Sequence, residues 1–170
     1  MELFYDLVVV VLVGQAAHHL SEHVTRHGLA VFAAVFALIW IAWLNGSLYH
    51  ELHGREDARS RTVLLVQILA MVPLGAFIPE AGGSGGFAHS VSAAVLFAVL
   101  ALVWGLAGRG TSTEYRRSAR VFVAGTAACA VLLVSTASLP VDGRLIVWLL
   151  LDLVLTCSWC VTGVRSGPRR

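Results

Sequence analysis

The sequence predicts an all-α polytopic membrane protein, a bundle of six transmembrane helices with both termini cytoplasmic, and three observations carry that expectation. Of 170 residues, 58% are hydrophobic and 13% charged, with a mean hydropathy of +0.80; a soluble domain keeps about a quarter of its residues charged to face water. Six apolar runs each approach or exceed the ~18 residues needed to cross a hydrocarbon core of roughly 30 Å. The arginines gather on one side of those runs. The formal charge of +2 comes from 12 arginines against 10 acids, without a lysine, so the total indicates no basic nucleic-acid face. The expected partner is the lipid bilayer.

The spans read as Leu3 to Leu20, Leu29 to Tyr49, Thr62 to Pro79, Phe87 to Ala107, Ser118 to Ser138 and Leu145 to Val164, together one transmembrane domain over 1–170. They lack the alternating polar pattern of a membrane barrel strand, and lipid offers no partner to unpaired backbone, so each must be a helix. Connections are short: His-rich Ser21 to Gly28, charged His50 to Arg61, glycine-rich Glu80 to Gly86, Arg109 to Arg117, and Leu139 to Arg144. Consecutive helices should therefore be antiparallel neighbours. With loops alternating sides, ten arginines fall on the side of the termini and two, Arg26 and Arg144, on the other; the excess marks the cytoplasmic face. The first span has no basic n-region and no small-residue cleavage site, so it reads as a retained helix.

Function is sought in polar side chains inside lipid, where an ionisable group costs from about 2.5 kcal/mol upward and needs a partner, water or a purpose. Asp6 lies one turn into the first span and Asp152 deeper in the sixth, both among Leu and Val. Glu2 and Asp6 are four apart on one helix face, and Asn45 and Gln67 should lie at a similar depth, which suggests a polar layer near the cytoplasm. Arg55, Arg59 or Arg61 can clamp the carboxylates from the next loop; alternatively the layer lines a cation vestibule. Gln15 and His19 form a second stripe about 180° around the same helix. A helix polar on two faces is expected inside the bundle.

Several motifs are weaker than they look. His19, His23 and His27 repeat every four residues beside His18 and Glu22, a metal spacing only if one helix continued through them, and Gly28 ends the stretch. No metal site is expected. His50 and His53 are three apart and not the four of a zinc-protease helix. Cys157 and Cys160 have C-x-x-C spacing but no second pair and no βαβ context. The glycines from Gly82 to Gly86 lack the Lys-Ser/Thr of a phosphate loop. With no nucleophile–base pair and no complete metal motif, neither catalysis nor a cofactor is expected. Trp104, Trp148 and Trp159 are placed as interfacial anchors, and Trp40 and Trp43 as packing or cavity residues. Gly14 with Ala17, and Gly125 with Ala128 and Cys129, mark faces for close helix approach.

The opening Glu2-Leu3-Phe4-Tyr5-Asp6-Leu7-Val8, with Gln15 and His19 following, resembles the first helix of the bacterial low temperature requirement A family, whose hallmark is Glu-Leu-Phe-Phe/Tyr-Asp-Leu-Val. The resemblance continues through Trp40, Trp43, Gln67 and Ile78-Pro79-Glu80-Ala81, and beyond about residue 110 rests on hydropathy. It implies a multi-pass bacterial inner-membrane protein without an established biochemical activity. Family members typically run to about twice this length and carry a basic segment before the motif, so the resemblance also implies the first half of a longer ancestor or assembly from identical halves. A second resemblance is to six-helix lysosomal and bacterial potassium channels, with Phe4-Tyr5-Asp6 and Trp43-Leu44-Asn45 standing where those carry Phe-Ser-Asp and a Trp-Leu-Asn-like stretch.

The functional expectation is a transport or ion-permeation unit whose polar layer is drawn from Glu2, Asp6, Gln15, His19, Asn45, Gln67 and Asp152; substrate and ion are not named by the sequence. The alternative is a membrane-integrity or scaffold protein in which the same residues are clamps. A homo-oligomer is expected, with Gly125 and Cys129 on its contact face.

Overall fold

A computed structural model describes residues 2–22, 24–53, 58–107, 113–151 and 153. All regular structure among them is helical: α1 Glu2–Glu22, α2 Arg26–His53, α3 Ala58–Ala76, α4 Gly86–Ala107 and α5 Thr113–Thr136, followed by α6 over 141–151. Three of these, over Leu3–Glu22, Arg26–Glu51 and Gly86–Leu106, are long and apolar enough to cross a membrane. The apolar helices Ser60–Ala76 and Arg120–Thr136 are shorter than expected, and α3 ends before Pro79.

Helix ends follow local chemistry. Thr25 caps α2, its Oγ1 accepting the Gly28 N–H at 2.9 Å. Gly28 therefore belongs to the first turn of α2 and does not close a loop, and His50, expected in a loop, lies near the other end of the same helix. Pro73 sits inside α3, where its ring removes one helical N–H. One turn later the chain leaves the helix through tight turns linking Ile78 to Gly75, Glu80 to Phe77, Ala81 to Ile78 and Gly83 to Glu80, each from N–H to carbonyl at 3.0–3.2 Å.

Contacts fix an up-and-down order. Near the start of α1, Tyr5 meets Gly46 and the Ala42 carbonyl of α2, and Tyr49 of α2 packs edge-on against Trp104 of α4, which stacks on Phe122 of α5. At the opposite end His27 meets the Gly82 carbonyl, and Arg144 reaches Ala81 and Gly83. We call these the proximal and distal ends. Between them one apolar core joins α1, α2, α3 and α4 with Cys129, Leu133, Leu145 and Trp148. Core hydroxyls bond back to their own helices, as with Ser90 to Gly86, Ser92 to Ala88 and Thr126 to Phe122, which satisfies them without water.

The tertiary arrangement corrects four expectations. Helix α1 is peripheral: Tyr5, Val9, Leu12 and Ala16 form its single buried stripe, while Leu3, Phe4, Leu7, Val10 and Val11 face outward. Gly14 has open space where a Cβ would be, so its small-residue face looks away from the bundle. Cys129 points into the protein's own core, so the Gly125–Cys129 face serves internal packing. Trp104 and Trp148 are 1% and 0% exposed, buried partners of neighbouring helices and not interfacial anchors. Trp159 lies outside the described residues.

Candidate functional site

At the proximal end a cavity of about 280 Å³ opens between α1, α2 and α3, lined by Tyr5, Asp6, Trp43, Ser47, His50, Glu51 and Leu64. Helix periodicity builds it. Trp43, Ser47, His50 and Glu51 recur at i, i+4, i+7 and i+8 and so share a face of α2, opposite adjacent residues Tyr5 and Asp6 of α1. The Trp43 Nε1–H donates to Asp6 Oδ1 at 2.8 Å, and the Tyr5 hydroxyl donates to the Ala42 carbonyl at 3.1 Å. The Tyr5 and His50 rings meet edge to face at 6.4 Å. Leu64 supplies the apolar wall from α3. Two carboxylates thus face a recess whose other walls are largely aromatic.

The expected polar layer is divided. Asp6 lines the cavity, but Asn45 and Gln67 do not; they are buried in the bundle. The Asn45 side-chain N–H donates to the Ile41 carbonyl at 2.9 Å, while its Oδ1 and both polar atoms of Gln67 have no hydrogen-bond partner among the described residues. Gln15 is exposed, with its Oε1 beside Gly75. His19 lines a distal crevice of only about 10 Å³ with Ala16, Leu20, Gly28, Val31, Phe32, Val35 and Ile78. The side chain of Glu2, Asp152 and the Cys157–Cys160 pair lie outside the described residues. Arg61 is exposed and is not ion-paired with Asp6; the clamp residues Arg55 and Arg59 also fall outside the description of side chains. The break between α1 and α2 separates His19 from His27, and no three His, Cys, Asp or Glu side chains among the described residues are placed to share a metal ion.

Sequence reasoning missed Ser47, a small hydroxyl inside the second span, and His50 and Glu51, which sit just past it, although their spacing from Trp43 was there to be read. It also missed a distal lock. Arg144, assigned to a loop, is 3% exposed and donates from Nη2 to the Ala81 and Gly83 carbonyls at 3.1 and 2.9 Å. Its guanidinium lies 5.5 Å over the Trp148 ring, which packs at 5.3 Å against buried His89. Its carbon and nitrogens fill the space a Cβ on Gly86 would need.

A family model, the bacterial low temperature requirement A protein (LtrA), matches residues 1–166. The chain belongs to the LtrA family. The match extends well past residue 110, so LtrA membership covers α5 and α6 as well as the opening motif. Together with the long apolar helices, it makes this LtrA chain a membrane protein. No curated protein and no solved structure matches it.

Proposed function

We propose that this LtrA protein is a multi-pass transport or ion-permeation unit of the bacterial inner membrane, and not an enzyme, with six spans and both termini cytoplasmic. The observation that carries the reading is a carboxylate-lined cavity open at one end and closed toward the other. Beyond the Tyr5–Leu64 wall, Val9 and Leu12 of α1, Leu38 and Ile39 of α2, and Met71 and Leu74 of α3 belong to one apolar core, and the crevice at His19 on the distal side is narrow. A polar recess ending on such a seal is what an inward-open transport state requires, since a charged solute cannot cross dry apolar packing. The arginine asymmetry supports an open end that faces the cytoplasm. Asn45 and Gln67, amides with unspent hydrogen-bonding capacity next to the seal, are the groups a dehydrating solute would meet after Asp6.

The Asp6–Trp43 hydrogen bond favours the second reading, a scaffold in which Asp6 clamps α1 to α2. Asp6→Asn separates the two, because the amide oxygen still accepts from the indole while the charge is gone. In proteoliposomes containing the full chain, cation flux present in wild type and lost in Asp6→Asn supports transport; a folded wild type without flux leaves the clamp. We also propose that copies associate in the bilayer, through the outward face of α1 at Gly14 and Ala17.

A further inference from the structure

We propose that the proximal cavity selects a small organic cation of the alkylammonium class, held between the Asp6 and Glu51 carboxylates and the Tyr5 and Trp43 rings; this rests on the transport reading above. Among the described residues the lining contains two acids and neither arginine nor lysine, and that pair of carboxylates gives it a negative potential that attracts a cation. Aromatic faces are also negative and attract diffuse positive charge, best at tryptophan. Trp43 is oriented for this by the bond from its Nε1–H to Asp6, which couples ring and carboxylate in one unit. The alternative of a chelated bare ion is poorly served, since no three ligating side chains among the described residues converge. An alkylammonium needs no coordination sphere; it needs counter-charge, aromatic surface and apolar wall, and Leu64 provides the last. At about 280 Å³ the cavity falls just below the usual range of ligand pockets, roughly 300–1,000 Å³, which suits a single compact head group.

Tetramethylammonium is the probe, titrated calorimetrically into the full chain in lipid nanodiscs, with potassium, sodium and the uncharged isostere 3,3-dimethylbutan-1-ol as comparisons. We expect one saturable tetramethylammonium site, little heat from the neutral isostere, and affinity lowered about fivefold or more by Trp43→Leu. Glu51→Gln, at an exposed position that leaves the core untouched, should also weaken binding. Parallel flux in proteoliposomes separates the two failures. Inorganic cation flux that is unaffected by tetramethylammonium, with no binding or with binding indifferent to both substitutions, overturns the alkylammonium assignment and leaves transport standing. Absence of both flux and binding for every cation overturns the two together.

Discussion

The phenol of Tyr5 lies where a Cβ on Gly46 would be, so α1 approaches α2 at the floor of the proximal cavity only because position 46 has no side chain. The contact buries Tyr5 to 2% exposure and sets Asp6, the next residue, at the cavity edge. Gly46→Ala should therefore displace α1 and destabilise the bundle by about 1–3 kcal/mol, the usual range for overpacking. Removing the hydroxyl relieves part of the overlap, so Tyr5→Phe with Gly46→Ala should cost less than the sum of the single changes. Denaturation in mixed micelles checks it; strict additivity counts against the contact.

The distal lock behaves as a second coupled pair. Hydrogen bonds from a charged donor are worth about 1.5–3 kcal/mol each, but the desolvated guanidinium offsets part of that. Arg144→Met should thus destabilise by a net of roughly 1–3 kcal/mol. Gly86→Ala should be costly beside Arg144 and close to neutral in the Arg144→Ala background, because the obstructing group is then gone. Equal cost in both backgrounds would show that Gly86 is needed for another reason.

Asp6→Asn and Asp6→Leu should differ in stability. The first keeps an acceptor for the Trp43 N–H, and the second loses a hydrogen bond worth about 1 kcal/mol in this half-open setting. Thermal melts in detergent should rank wild type and Asp6→Asn together, above Asp6→Leu, and flux should fall in both variants.

Orientation is tested at exposed Ser84. A cysteine there should react with an impermeant maleimide added outside intact cells, and one at Ser112 should not, since the arginines gather on the side of the latter. Labelling of position 112 from outside would reverse the proposed topology, and with it the direction in which the cavity opens.

Association is tested on α1. Gly14 faces open space and permits close approach of a second helix, so Gly14→Leu should lower the dimer fraction in nanodiscs while leaving helix content unchanged. A wild-type chain that stays monomeric across a wide concentration range removes the proposal.

By itself the sequence determined the helical class, the short antiparallel connections and the family, because hydropathy, length and the Glu-Leu-Phe-Tyr-Asp motif are local properties of the chain. It also picked out Asp6, Asn45 and Gln67 as polar groups that lipid should not leave unattended. What it could not determine was which side of each helix meets another helix. In a soluble protein polar residues mark the outer face, but here both faces are apolar: Leu7 and Leu12 read alike, yet one is exposed and the other is core. Only the packing of α1 against α2 and α3 put Asp6 beside Trp43 and left Asn45 and Gln67 outside the cavity. Only the meeting of α6 with the turn after α3 buried Arg144, whose place at the end of an apolar run looks, in sequence, like that of any arginine at a membrane surface.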